Sequence, residues 1–486
     1  MTALRSVRRT KILATVGPAS ATPAVLSRML DSGVNGFRLN FSHGTDAEHR
    51  RTLEILHRVA RRANPRVAIV ADLQGPKIRL GDLRQPRYTV AEGDRWTFDT
   101  SGEIGEAGRA SVSLPGLTTA ARPGDPLLLG DGSVELVVES VSHGAVSARV
   151  VHGGTVAAHA GFFLPHAHLR AEILGPRDLS DLRVAVAGGV DFLALSFVRD
   201  GADVRKARRE LDRLPNGDEV ATIAKIERAE ALAHLDSILA EADGIMVARG
   251  DLGIEVPLER LALEQKQLVT RANAAGRIAI VATQMLLSMV SSPRPTRAEA
   301  TDVANAVIDG ADAVMLSEES AVGDFPVESV KWLDRICRTT EEGLFRGELP
   351  LPAVAEPPPT LERSVAKAAV RLAADLGARA IVTPTHSGRT ARLISKHHPP
   401  SPIVALTSRP STQRQLALVR GIYAQPSPPK LTLRELSRLA YDTVARELGR
   451  RADGPIVLTA GYPVEGRPTN LVTVVDRRPE PRRRDP

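Results

Sequence analysis

Lys225 and Glu227 stand two residues apart in the run AKIE. Side chains alternate along an extended chain, so both point to the same side. Buried in a packed interior, such a pair is costly unless every polar atom is satisfied. At the rim of a fold it faces a ligand instead, and a structural ion pair and a catalytic pair are both open readings. Asp251, in VARGDLG, adds a carboxylate after the next apolar run. Two carboxylates from adjacent strand ends suit one hard divalent cation such as Mg²⁺, which keeps several waters and takes other oxygens from a substrate. Gly250 and Gly253 flank Asp251, and the expectation is a sharp turn that brings backbone close to an anion.

Anion holders follow the same logic. Arg38 and Asn40 share a face of GFRLNFSHG, with Ser42 continuing it, and Arg79 lies in ADLQGPKIRLG. An arginine fork matches phosphate and carboxylate oxygens by two-point contacts. Read alone, Arg38 could be a rim salt bridge; read with a lysine and a metal, it points to a phosphorylated carboxylate. In ADLQGPKIRLG an apolar run ends in Asp72, turn-formers Gly75 and Pro76 follow, and then come Lys77 and Arg79. An anion site, a metal site and an ordinary charged loop all fit that stretch. Thr283 closes another apolar run, as a helix cap or as a site hydroxyl. Thr296 followed by Glu299 is a capping box. His43, His49, His152, His159, His166 and His168 lack metal-ligand spacing and read as loop or surface residues.

These residues need elements that bring them together. Eight apolar runs ending in polar residues recur, at 11–17, 36–42, 67–72, 191–197, 221–227, 244–251, 278–284 and 313–319, with amphipathic helical patterns between them. The pattern predicts an α/β chain containing a (β/α)8 TIM barrel, whose chemistry sits at the C-terminal ends of its strands. A doubly wound sheet is the alternative, but it seldom carries polar residues at nearly every strand end. Between the third and fourth runs lie alternating, turn-rich segments, which predict an inserted β-rich lid domain at 82–168; closing over the site, it could exclude water. The barrel is then 1–81 and 169–345. After a Pro-rich connection, a C-terminal α/β domain is expected at 357–476, and a basic, disordered tail at 477–486. In that last domain TPTHSGRTAR offers Thr385, Ser387, Gly388, Arg389 and Thr390 before a helix, a phosphate nest or an ordinary turn.

The totals agree. With 486 residues the chain exceeds one usual domain. Aromatic residues make up only 3%, so cores must be built from Ala, Val, Leu and Ile, which suits buried parallel strands. One cysteine, Cys337, excludes an internal disulfide and fits a reducing compartment. No apolar run suggests a signal peptide or a membrane span, so a cytoplasmic location is expected. The net charge of +7 comes partly from the ends, and no basic stripe is interleaved with aromatics as a nucleic-acid platform needs. A field that gathers small phosphorylated substrates is the simpler account.

The stretches KILATVGPAS, FRLNFSHG, DLQGPKIRLGD, FLALSFVR, AKIE, IMVARGDLG, VATQML, PRPTRAEATDVANAVIDGADAVMLSEESAVGDFP and THSGRTAR span almost the whole chain in order. Together they resemble the pyruvate kinase family. The resemblance implies transfer of the phosphoryl group of phosphoenolpyruvate to ADP, giving pyruvate and ATP through a Mg-stabilised enolate. It implies Mg²⁺ (or Mn²⁺), commonly K⁺, a homotetramer and a phosphorylated small-molecule effector, with no nucleic-acid or membrane partner. Carried across, Arg38, Arg79 and Lys225 contact phosphate, and Glu227 and Asp251 hold Mg²⁺. Ala248, Arg249, Gly250 and Thr283 surround the carboxylate and methylene end. Asn40, Ser42, Asp72 and the Leu73 carbonyl correspond to the usual monovalent-cation ligands, and Asp131 to a lid residue near the nucleotide's metal.

The sequence also departs from the family pattern. Ala160 and Phe163 stand where Lys and Asn are usual, Leu287 replaces Glu, and Glu318 replaces Gly. K⁺-requiring relatives have Glu at the position of Lys77, Thr at Leu73, Lys at Gln74 and Thr at Leu80. All four differ here, so Lys77 is read as a tethered substitute for K⁺, and K⁺ is expected not to be required.

Overall fold

The computed structural model describes residues 8–63, 66–114, 116–130, 132–142, 144–165, 172–352, 358–448, 454–461 and 469–476. Asp131, His166, His168 and the tail 477–486 lie outside the described residues.

Eight parallel strands close a barrel in the order 1-8-7-6-5-4-3-2. They are Lys11–Val16, Gly36–Asn40, Ala68–Asp72, Phe192–Leu195, Ala221–Ile226, Gly244–Ala248, Ile278–Ala282 and Ala313–Leu316. Each coincides with one of the eight apolar runs. Their residues are covered on both faces, by helices outside and by side chains within, which is why the runs are continuously apolar rather than alternating. The lumen holds small or slender side chains such as Ala68, Val70, Ala194, Ile223, Met246, Ile280 and Ala282, with Phe192 the aromatic among them. That packing continues into the third domain through Leu416, Leu418 and Ile394.

The barrel floor repeats one device four times. Asn35, Asp191, Asp243 and Asp312 directly precede the even-numbered strands. Their side chains accept the amides of Ile12 (3.0 Å), Ile69 (2.9 Å), Thr222 (2.9 Å) and Ala279 (2.8 Å), each the second residue of the odd-numbered strand before. Buried amides need acceptors, and these four side chains supply them where the staggered strands begin. Two of the carboxylates are also held from the third domain. Arg414 Nε lies 2.7 Å from Asp191, and Lys396 pairs with Asp312 in full burial.

Among the described residues the insert between the third and fourth strands is all-β apart from one short helical turn. Six strands order as Phe162–Phe163, Pro126–Leu129, Val134–Ser142, Ala145–His152, Arg95–Asp99 and Arg109–Ser111, and a separate pair joins Arg87–Val90 to Gly154–Ala157. Their alternation buries Trp96, Phe98, Val146 and Phe162. The third domain stacks helices on a five-stranded sheet ordered Ile422–Pro426, Ile403–Thr407, Ile381–Pro384, Ile456–Ala460, Leu471–Val475, with the last strand antiparallel. Among the described residues no helix is long and apolar enough to cross a membrane.

Candidate active site

Polar side chains from the C-terminal strand ends converge on one charge cluster. Lys225 Nζ lies 2.8 Å from Glu227 Oε1 and 3.3 Å from Asp72 Oδ1. It also donates to Ser196 Oγ at 2.7 Å, and that hydroxyl donates to the Leu73 carbonyl at 2.7 Å. Arg38 Nε meets Asp72 Oδ2 at 2.6 Å, and its Nη1 reaches Thr15 Oγ1 at 3.1 Å. Asp72 and Glu227 are each only 1% exposed. Ions so far from water persist only when paired and hydrogen-bonded, and here they are.

Electrostatics follow from that burial. Desolvation opposes charge on Asp72, yet Lys225 and Arg38 outweigh it and hold the carboxyl below its ordinary range. Burial likewise works against the Lys225 ammonium, but Asp72 and Glu227 raise its pKa. Glu227 goes the other way: burial, with Asp251 adding its like charge, pushes its pKa up despite Lys225. His43, at the rim, is held below its usual range by burial and then by Arg79, Arg38, Arg177 and Lys77, so the mouth of the site is cationic.

Asp251 sits elsewhere than the sequence suggested. Gly250 and Gly253 make no sharp turn, because Arg249–Glu255 is helical and Asp251 occupies its first turn. The reason lies in the neighbouring strand. Thr283 Oγ1 accepts the Gly250 amide at 2.9 Å and donates to the Ala282 carbonyl at 2.6 Å, so it satisfies one of the amides a helix start leaves free. Thr283 is thus a helix cap, but for the helix after the sixth strand rather than its own. Thr283 and Gln284 both take positive φ, 69° and 54°, a strained state for a β-branched residue. Arg249 fixes that turn. Its guanidinium donates to the carbonyls of Ala282 (3.2 Å) and Thr283 (2.7 Å) and pairs with Asp302 at 2.6 Å. The Arg249 side chain is therefore committed to holding the turn, and it is the backbone from Ala248 to Gly250 that borders the cluster. Asp302 rides on Arg297–Ile308, whose Thr296–Glu299 capping box forms as expected.

Lys77 does not rest on Asp72. Its Nζ lies 3.1 Å from Asp251 Oδ1, because Arg38 and Lys225 already neutralise Asp72. Asn40 Oδ1 accepts the Ser42 amide at 3.2 Å. Arg79 points to the base of the lid, where Nη1 donates to the His159 carbonyl at 3.0 Å. Gly75, at φ 65°, passes so close to the fourth strand that a Cβ would lie 2.9 Å from Ser196 Cβ. Its amide donates to Asp178 at 2.9 Å.

Sequence reasoning missed Ser196, Thr15, Asp178 and Asp302. Ser196 was findable, since it follows the fourth strand where other polar site residues follow theirs. Asp302 carried no signal, because only the fold brings its helix to Arg249.

For a divalent cation, the donor set is two hard oxygen ligands, Glu227 and Asp251, whose like charges already act on each other. Among the described residues no three His, Cys, Asp or Glu side chains gather as a metal cage. The set fits Mg²⁺, which takes one or two carboxylates plus waters and substrate oxygens.

In the third domain, Thr385 Oγ1 accepts the Gly388 amide at 2.9 Å, Gly388 takes φ 78°, and Thr390 Oγ1 meets Thr469 Oγ1 at 2.8 Å. Ser387 and Arg389 flank this turn before the helix Arg389–Ser395.

Comparison with known proteins agrees with this arrangement. Residues 7–330 match the family model for the pyruvate kinase barrel domain, and 363–475 match that for the pyruvate kinase alpha/beta domain. A pyruvate kinase of Agrobacterium vitis is 42% identical over 466 residues, covering 95% of this chain and 96% of that one. One from Geobacillus stearothermophilus is 39% identical over 470 residues, covering 96% and 80%. The crystal structure of a pyruvate kinase from Cryptosporidium parvum superposes with a TM-score of 0.87 at 34% identity, covering 96% of both chains. The chain belongs to the pyruvate kinase family.

Proposed function

We propose that the cluster of Arg38, Asp72, Lys225, Glu227 and Asp251 transfers the phosphoryl group of phosphoenolpyruvate to ADP, by way of the enolate of pyruvate. The observation that carries this reading is the placement of Lys225 between Asp72 and Glu227, fully charged and fixed by Ser196. Phosphoryl transfer asks a protein mainly for positioned positive charge around the equatorial oxygens. Glu227 and Asp251 would hold Mg²⁺, which when bound would supply further positive charge there. Arg38 and Lys225 face the phosphate, and Arg79 closes on it from the lid base. Lys225 then stabilises the enolate oxygen. The Thr283 hydroxyl already donates its hydrogen bond to the Ala282 carbonyl, so it orders a water that protonates the methylene carbon rather than donating directly. A Mg²⁺-dependent lyase acting on a pyruvate enolate would use a similar carboxylate pair. Pyruvate release that depends strictly on ADP is the expected result and separates the two, whereas ADP-independent release would favour the lyase.

The same reading extends to the monovalent cation. Lys77 brings an ammonium into the cluster where K⁺-requiring relatives carry Glu, tethered and so without the cost of capturing an ion from solution. Full activity is expected with Mg²⁺ in tetramethylammonium buffer. Adding about 100 mM K⁺ at fixed ionic strength, which removes screening effects, should change little. Lys77→Glu should lose most activity without K⁺ and regain some with it. A wild-type rate rising tenfold or more with K⁺ would defeat this assignment.

The turn at Thr385, Ser387, Gly388, Arg389 and Thr390 suits a phosphate held by hydroxyls and a helix start. We take it as the seat of a sugar-phosphate or nucleoside-monophosphate activator in a cytoplasmic homotetramer. A panel of such compounds, added at subsaturating phosphoenolpyruvate, should include one that lowers half-saturation. Activation that survives in the double variant Ser387→Ala/Thr390→Ala would place the site elsewhere.

A further inference from the structure

Each of the two carboxylates that suit the divalent cation is held by a lysine. Glu227 carries Lys225 at 2.8 Å, and Asp251 carries Lys77 at 3.1 Å. The two lysines are not equivalent. Lys225 is enclosed, bonded to Ser196 and shared with Asp72, so its departure would strand two buried carboxylates. Lys77 has only Asp251 as a carboxylate partner among the described residues, and its side chain keeps 26% of its surface open. Its ammonium otherwise lies over the Phe163 ring, 5.9 Å from the centroid. A four-carbon stem carrying a compact point charge can swing within such a mouth. A dication arriving on Asp251 repels the ammonium already there strongly at close range, and of the two lysines the part-exposed Lys77 is the one free to yield.

We propose that Lys77 is a tethered placeholder for the divalent cation: it holds Asp251 until the metal takes that carboxylate, and is then released toward the substrate's anionic groups. Lys77 acts here as a positioning residue, through Asp251. The inference rests on the reading of Glu227 and Asp251 as metal ligands and deepens the one of Lys77 as a built-in cation. It ties the two together. Metal entry frees the charge that the phosphorylated substrate needs, so metal and substrate each strengthen the other's binding, as linkage requires.

The test uses Mn²⁺ as the probe on the full-length protein, with free Mn²⁺ read by its electron paramagnetic resonance signal at constant ionic strength and no substrate. Lys77→Met should bind Mn²⁺ about tenfold more tightly than the wild type, the size expected for removing one competing charge from a part-exposed site. Lys77→Arg, which keeps the charge, should stay within about threefold of wild type. Arg79→Met removes a nearby cation that does not touch Asp251 and should change Mn²⁺ affinity less than about twofold. Adding phosphoenolpyruvate should tighten Mn²⁺ binding in the wild type by a larger factor than in Lys77→Met. Equal or weaker Mn²⁺ affinity in Lys77→Met overturns the proposal, and so does an equal gain in Arg79→Met, which would mean a general field rather than a contact. Asp251→Asn reports on the underlying reading: unchanged Mn²⁺ affinity there removes Asp251 as a ligand and the placeholder with it. A K⁺ requirement found alongside the expected Mn²⁺ shifts would sink only the K⁺ assignment.

Discussion

Replacing Lys225 by Met is expected to slow phosphoryl transfer by about three to five powers of ten, the range seen when a cation on a transferring phosphoryl group is removed. Exchange of the pyruvate methyl protons with solvent should fall by less and remain detectable: it loses the help Lys225 gives the enolate oxygen, but the proton itself moves through the water ordered by Thr283, which Lys225 does not touch. The two activities are measured on one preparation, the first by coupled assay and the second by loss of the methyl proton signal in deuterated buffer. Leaving Asp72 and Glu227 side by side without their shared ammonium also costs stability. A thermal melt therefore accompanies both assays, and an unfolded variant would show loss of both activities together. Turnover near the wild-type value in a folded Lys225→Met would end the assignment.

Asp312→Ala should produce the largest stability loss away from the site. Lys396 and Asp312 are paired in full burial, and desolvation holds the Lys396 pKa below its ordinary value. Asp312 also accepts the amides of Ala279 (2.8 Å) and Arg420 (3.0 Å). Its removal leaves one buried ammonium and two amides without acceptors. A loss of about 3–5 kcal/mol is expected, the range for breaking one side of a buried pair, read as a shift in the denaturant midpoint. Asp312→Asn should lose less, because an amide oxygen can still accept. Asp375→Ala breaks the exposed pair with Arg371, where Asp375 keeps 54% of its surface open, and should cost less than about 1 kcal/mol. Equal losses for Asp312→Ala and Asp375→Ala would contradict the weight given to burial.

The sequence shows its barrel clearly because periodicity reports burial, and all eight strands are buried on both faces. Lys225 and Glu227 meet as their spacing requires, and the Thr296–Glu299 box forms because both partners are local. Long side chains were less legible. The position of Arg249 at the end of an apolar run is visible in the sequence, but not that its guanidinium turns back to hold Thr283 and Asp302. As a substitute for K⁺, Lys77 belongs beside Asp72, yet it stands on Asp251, since Arg38 and Lys225, from two other strands, already cover Asp72. The two glycines beside Asp251 suggest a turn, whereas the residue lies in a helix. The helix there depends on a hydroxyl from a different strand, which no local pattern carries. The floor residues Asn35, Asp191, Asp243 and Asp312 look like ordinary loop polar residues until the strands' stagger shows which amides they serve.

The left-handed pair Thr283–Gln284 weighs differently on heat resistance and on turnover. Holding a non-glycine residue at positive φ costs about 1–2 kcal/mol, and a β-branched one stands at the upper end. Glycine would carry no such cost, yet at 283 it would also delete the hydroxyl that receives the Gly250 amide, a cap worth about 0.5–2 kcal/mol, and that on the proposed mechanism orders the protonating water. Proteins give up stability at such points and recover it elsewhere. A library of variants screened only for survival of heating should therefore move toward glycine at Gln284 and stay near neutral at Thr283, where the relieved strain and the lost cap offset each other. The same library screened for pyruvate formation should tolerate the first and discard the second. The two screens part company at a single side chain, one on which the fold is close to neutral and the chemistry is not.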